Sequence, residues 1–113
     1  MMFDLEKRTT EFAKAVIRMC KRLSRNPMND RLVGQVVGSA GSIGANYREA
    51  NDALGKKDFI QRMKISRREA KESHHWLELI LEAHSDKGLE IKPLIEECDQ
   101  LKKILSSIIS KSQ

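Results

Sequence analysis

Seven of the residues from Lys56 to Lys71 are basic, namely Lys56, Lys57, Arg62, Lys64, Arg67, Arg68 and Lys71, against only two acids, Asp58 and Glu69. Helical spacing sets Lys64, Arg68, Lys71 and His75 along one stripe. Cations at this density bind phosphate backbones. Each neutralised phosphate releases condensed counterions, which supplies affinity without demanding a base sequence. The same side chains could also form a merely solvated helix face. Phe59 is the segment's only aromatic, so base stacking is poorly supplied, and no helix-turn-helix or zinc spacing is present. Backbone contact is therefore expected rather than base readout. Glu69 and Glu72 interrupt the stripe, and packing the core leaves no strongly apolar opposite face, so a membrane surface is not the expected partner.

Other chemistry-bearing residues are fewer. Helical bundles can hold two metal ions with Glu-x-x-His pairs on two helices and a Glu from each of the others. Glu72-Ser-His-His75 fits that pair once, but Glu49-Ala-Asn-Asp52 has a carboxylate where the second His belongs. No metal or other cofactor is expected. His74 with Glu78, and His75 with Glu78 or Glu82, are at helix-neighbour spacing and read as surface hydrogen-bonding pairs. No Ser or Cys stands with a His and an acid, and neither a Gly-x-Gly-x-x-Gly nor a Walker pattern occurs. No catalytic residue is assigned and no enzymatic activity is expected. Cys20 and Cys98 lie inside apolar helical patterns and are expected to be free, buried thiols acting as small hydrophobes.

The elements that must position these groups are helices. The 113 residues are 33% charged and 40% apolar, rich in helix formers and poor in aromatic or β-branched runs. Leu5, Thr9, Phe12, Val16, Met19 and Leu23 alternate at four and three, predicting a helix over about 4–25 that Pro27 ends. A second, over 30–54, starts at an Asn29 or Asp30 cap. It carries Gly34, Gly38, Gly41 and Ala45 on one face, where another backbone could approach closely. A third, over 58–84, has Asp58 as its cap and a core stripe thinned by Ser66, Ala70 and Ser73; Gly88 is suited to a left-handed turn after it. The fourth, over 93–110, opens on Pro93 and repeats Ile91, Leu94, Cys98, Leu101, Leu105 and Ile108 in heptads. Four such helices with short connections predict an all-α, antiparallel up-and-down four-helix bundle, a single domain over 1–113. No apolar run is long enough to span a membrane, and Asp4, Glu6, Lys7 and Arg8 do not suit a signal peptide, so a soluble, cytoplasmic protein is expected.

Charge is unevenly spread. The chain carries +5 in all, and residues 56–71 alone hold seven basic against two acidic side chains. In an up-down bundle the start of the third helix shares its end with Arg48, Lys102, Lys103 and Lys111. At the other end Arg18, Lys21, Arg22 and Arg25 meet Glu78, Glu82, Glu90, Glu96, Glu97 and Asp99 and should largely cancel.

Three ordered motifs, Ser42-Ile43-Gly44-Ala45-Asn46-Tyr47-Arg48-Glu49-Ala50, Lys57-Asp58-Phe59, and Ile65-Ser66-Arg67-Arg68-Glu69-Ala70-Lys71-Glu72-Ser73 followed by Trp76-Leu77, resemble a known family. It comprises the bacterial four-helix bundle proteins encoded in intervening sequences of large-subunit ribosomal RNA genes, sometimes labelled ribosomal-protein-like. The similarity runs from about Phe3 to Leu81, with the last helix alike only in pattern. It implies an up-down bundle without known enzymatic activity that assembles into a ring, commonly a homopentamer. By fold it also implies kinship with the basic, pentameric accessory proteins of diversity-generating retroelements, which associate with nucleic acid. A ring would use leftover apolar or small-residue surface, either the Trp76 and Leu79 edge of the third helix or the Gly38 and Gly41 face of the second. The combined expectation is a homo-oligomer that binds RNA or DNA through Arg48, Lys56, Lys57, Arg62, Lys64, Arg67, Arg68 and Lys71. The alternative is an interaction scaffold whose basic surface meets an acidic protein partner.

Overall fold

The computed structural model describes residues 4–113, so the first three residues of the expected domain lie outside it. It contains α1 (Leu5–Cys20), α2 (Pro27–Asn51), α3 (Lys56–Ala83) and α4 (Gly88–Ser112), with one 3₁₀ turn at Ser85–Lys87 and no strand among the described residues. Each helix packs on its neighbours in chain order and α4 closes back on α1, while α1 and α3, and likewise α2 and α4, stand diagonally. Cross-helix bonds establish the antiparallel sense: Ser66 reaches Ile43 while Ser73 reaches Ser39, and Arg67 reaches Ser106 while His74 reaches Asp99.

The helix ends follow capping chemistry more than periodicity. Asp4 caps α1, its Oδ1 accepting the Lys7 N–H at 3.0 Å. That helix stops at Cys20 instead of residue 25, because Arg22 and Leu23 turn back onto the carbonyls of Met19 and Cys20, which returns the Leu23 side chain to the core. Pro27 does not end α1, which stops seven residues before it; it occupies the first position of α2, where a missing N–H is harmless. Asn26, not Asn29 or Asp30, is the cap, with extended backbone (φ −161°, ψ 166°) and Oδ1 accepting the Asn29 N–H at 2.8 Å. Helix α2 closes at Asn51 and α3 opens at Lys56 with Gly55 as its cap. Asp58 therefore sits in the first turn, where its charge complements the helix dipole.

Two expectations about α4 are corrected. The reversal is made by the 3₁₀ turn, so Gly88 takes ordinary helical angles (φ −56°, ψ −35°), and no described residue has a positive φ. Pro93 lies inside the helix. The carbonyl four residues before it, which loses its helical donor, belongs to Leu89, a fully exposed residue in the first turn.

The predicted heptad positions form the core, from Leu5, Thr9, Phe12, Val16 and Met19 on α1 to Ile91, Leu94, Cys98, Leu101 and Leu105 on α4. The last α4 position passes from Ile108 to Ile109. The thin middle of α3 has a purpose: Ser66, Ala70 and Ser73 bring α2 close, and each hydroxyl is satisfied. Ser66 Oγ donates to the Ile43 carbonyl at 2.7 Å and Ser73 Oγ to Ser39 Oγ at 2.8 Å. On the other side the Cys98 thiol donates to the Ala70 carbonyl at 2.9 Å. No described buried side-chain nitrogen or oxygen lacks a partner.

Candidate nucleic-acid interface

With Met63, Ser66, Ala70, Ser73, Leu77 and Ile80 of α3 turned to the core, helical geometry sends Lys64, Arg68, Lys71 and His75 outward. Lys64, Arg67, Arg68 and Lys71 line one shallow groove, completed by Glu72, His75 and Trp76. Arg67 leans toward α4 and donates to Ser106 Oγ at 3.4 Å. Arg68 lies 3.9 Å from Glu72, a separation too long for a direct bond. Among the described residues, no carboxylate forms an ion pair with Lys64, Arg67 or Lys71.

Most arginines elsewhere are held by acids. Arg8 makes two 2.7 Å bonds to Glu97, which raises the guanidinium above its ordinary pKa. Arg22 bonds Glu90, while Arg25 bonds Asp30 at 2.6 Å. Of the pairings expected between Arg18, Lys21, Arg22, Arg25 and the acids of α3 and α4, only Arg22 with Glu90 forms; Arg25 finds its acid on α2, one loop away, and Arg18 and Lys21 form no ion pair among the described residues. Arg48 is occupied too, donating to Glu6 at 3.0 Å and to Thr10 at 3.2 Å on the α1 side of the bundle.

The eight residues named for nucleic acid therefore do not form one patch. Lys64, Arg67, Arg68 and Lys71 come together. Lys56 and Lys57 sit at the opening turn of α3 in a separate depression with Gly55, Asp58 and Gln61. Arg62 lies 3.9 Å from Asp58, and Arg48 lies apart. Ser112 does share a depression with Lys56 and Phe59, which places the close of α4 beside the start of α3.

Trp76 is the residue whose surroundings periodicity missed. Its position suggested an edge for oligomer contact, yet the half-buried indole lines the basic groove with its ring 5.0 Å from that of His75, edge-to-face at 64°. The available signal was helical spacing: Arg68, Glu72 and Trp76 stand four apart. Of the other residues named for an oligomer contact, Leu79 is 39% exposed, and a Cβ on Gly38 or Gly41 would meet nothing within 4 Å. Among the α2 glycines the close approach is at Gly44, facing Thr9.

Two of the histidines, His74 and His84, are hydrogen-bonded across the fold, and both thiols are buried. His74 joins α3 to α4 through Asp99 at 2.9 Å, with Glu78 at 3.4 Å. His75 does not pair with Glu78 or Glu82 but packs on Trp76. No three metal-ligating side chains converge among the described residues. Cys20 and Cys98 are free and buried, and burial pushes their thiols up to about 11 and about 12. No described helix is long and apolar enough to cross a membrane.

The sequence pattern of the family described as 23S rRNA-intervening sequence protein matches residues 3–107, carrying the similarity through most of α4 and past Leu81. Among solved structures, a protein of unknown function from the S23 ribosomal protein family of Bacteroides thetaiotaomicron superposes with a TM-score of 0.82. It is 29% identical, over 92% of this chain and 96% of that one. No curated protein matches.

Proposed function

The chain belongs to the 23S rRNA-intervening sequence protein family, and on that footing we propose that it is a non-enzymatic nucleic-acid-binding bundle that works as a homo-oligomer and grips phosphates along α3. One observation carries this reading. Lys64, Arg67, Arg68 and Lys71 line one groove, and three of them, Lys64, Arg67 and Lys71, form no ion pair among the described residues; Arg18, Arg31 and Lys103 are unpaired too, so it is the gathering of four cations in one groove that sets this face apart. Unpaired cations on one face leave a concentrated positive potential that phosphates can neutralise.

Homo-oligomerisation is supported by the open glycine face. Gly38 and Gly41 each cost α2 roughly 1 kcal/mol relative to Ala, and nothing in the same chain lies against them. A second copy packing there would recover that cost. In a five-membered ring the formal charge would reach about +25 from +5 per chain, so weak phosphate contacts would add by avidity.

The reading is tested by mobility shift with mixed RNA and DNA at low salt, comparing the protein with its Lys64→Glu, Arg67→Glu, Arg68→Glu triple variant. Binding by the protein and its loss in the variant are expected. Binding no greater than that of a neutral control protein, or retained in the triple variant, overturns it. Capture of an acidic protein by the same groove without nucleic-acid binding favours the scaffold.

A further inference from the structure

Resting on that reading, we infer that the α3 groove takes single-stranded nucleic acid, with phosphates along Lys64, Arg67, Arg68 and Lys71 and one base stacked on Trp76. The groove is more than a basic stripe. It holds a half-buried indole, an imidazole and a carboxylate among its four cations. A duplex would leave that end unused, because its bases are already stacked on one another and the indole would find no free ring. Glu72 would also face closely spaced phosphates. A single strand reverses both terms. Its bases splay out and stack on aromatic side chains, and Glu72 can accept a hydrogen bond from a base amino group.

The geometry suits a short stretch of strand. Lys64 and His75 are eleven residues apart on one helix face, about 16 Å at the helical rise, enough for a few nucleotides. The indole is restrained from two sides. Its inner part packs on the core, and His75 contacts it edge-to-face at 5.0 Å, so His75 does not lie flat upon it. A ring already held in place loses little freedom when a base stacks. Arg68, one turn from both Lys64 and Glu72, lies between the phosphate-facing end and the base-facing end.

Trp76 is the chain's single Trp, so its emission reports on this groove alone. The protein is titrated at one low salt concentration with an unstructured oligonucleotide of about 15 nucleotides and with a duplex of matching length. The single strand is expected to quench Trp76 and to bind more tightly than the duplex. Trp76→Leu should weaken single-strand binding roughly tenfold and leave duplex binding unchanged, and Trp76→Phe should retain most of the affinity. If Trp76→Leu does not fold, quenching in the parent protein and the Trp76→Phe affinity decide the matter. Equal affinity for both forms with unchanged emission overturns the stacked-base inference while leaving phosphate binding standing, and so does an equal loss for both forms in Trp76→Leu. Binding to neither form overturns the nucleic-acid reading itself.

Discussion

Thr9 of α1 stands directly against Gly44 of α2: a Cβ on Gly44 would lie 2.9 Å from Thr9 Oγ1 and 3.3 Å from Thr9 Cβ. Thr9 cannot swing away. It is buried, β-branched, and its hydroxyl donates to the Leu5 carbonyl at 2.9 Å with the Glu6 carbonyl at 3.0 Å. Gly44→Ala therefore sets a helix-propensity gain of roughly 1 kcal/mol against overpacking of about 1–3 kcal/mol. The expected result is a net loss of about 1 kcal/mol in urea denaturation. Gly34→Ala meets nothing within 4 Å and should instead stabilise the fold by up to about 1 kcal/mol. Equal effects of the two would refute the close approach.

The open glycine face has its own expected outcome. Gly38→Ala and Gly41→Ala should each favour the helix of an isolated subunit by up to about 1 kcal/mol while weakening association if a second copy packs there. Sedimentation velocity of the double variant beside the parent protein is the check. A parent that sediments as a monomer at micromolar concentration contradicts the assembly.

Asn29 ties three elements together. Its Nδ2 donates to the Ser24 carbonyl at 2.8 Å, which leaves Oδ1 to accept at 2.8 Å from His84 Nε2, so that nitrogen carries a proton. Asn29→Ala removes a buried amide together with both of its part-buried hydrogen bonds, leaving the Ser24 carbonyl and the His84 ring N–H without that partner, and should cost about 2 kcal/mol. Asn26→Ala removes only the cap bond and should cost about 1 kcal/mol. Thermal unfolding of the two variants should rank them in that order.

The thiols give a pH dependence of known sign. Folding raises Cys20 from 9.0 to about 11 and Cys98 from 9.0 to about 12 through burial. The unfolded chain therefore loses these protons first. Between pH 9 and the raised values the native state binds more protons, so stability falls as pH rises; below pH 9 the contribution is fully present. Denaturation at about pH 8 and about pH 10 should show the decline, and Cys98→Ala should lessen it. Native thiols should also resist alkylation near pH 8, because the reactive thiolate is scarce and shielded.

The groove cations should separate from Arg48 by salt dependence. Lys64→Ala is expected to weaken nucleic-acid binding and to reduce the slope of log affinity against log salt by about 1. Arg48→Ala should leave that slope unchanged, since Glu6 and Thr10 already occupy its guanidinium. Binding isotherms at several salt concentrations distinguish the two.

The helices and their buried faces were legible because a 3.6-residue period maps sequence position directly onto a face. Every stripe residue from Met63 to Ile80 on α3 is buried as its spacing predicts. The ends were less legible, because a cap depends on which of several neighbouring polar residues accepts the bond: Asn26 prevailed over Asn29 and Asp30, and Gly55 over Asp58. The basic residues were likewise all visible in the sequence. Their pairing was not, because Glu6, Glu90 and Glu97 reach their arginines across 42 to 89 residues of chain.

The sequence by itself thus determined a four-helix bundle with charge concentrated on its third helix, since periodicity and composition are local properties of the chain. Only the tertiary structure decided which cations stay available. Packing α1 against α2 and α4 brings Arg8, Arg22 and Arg48 within hydrogen-bonding reach of acids. Lys64, Arg67 and Lys71 have no such acid, and they keep their charge beside Trp76.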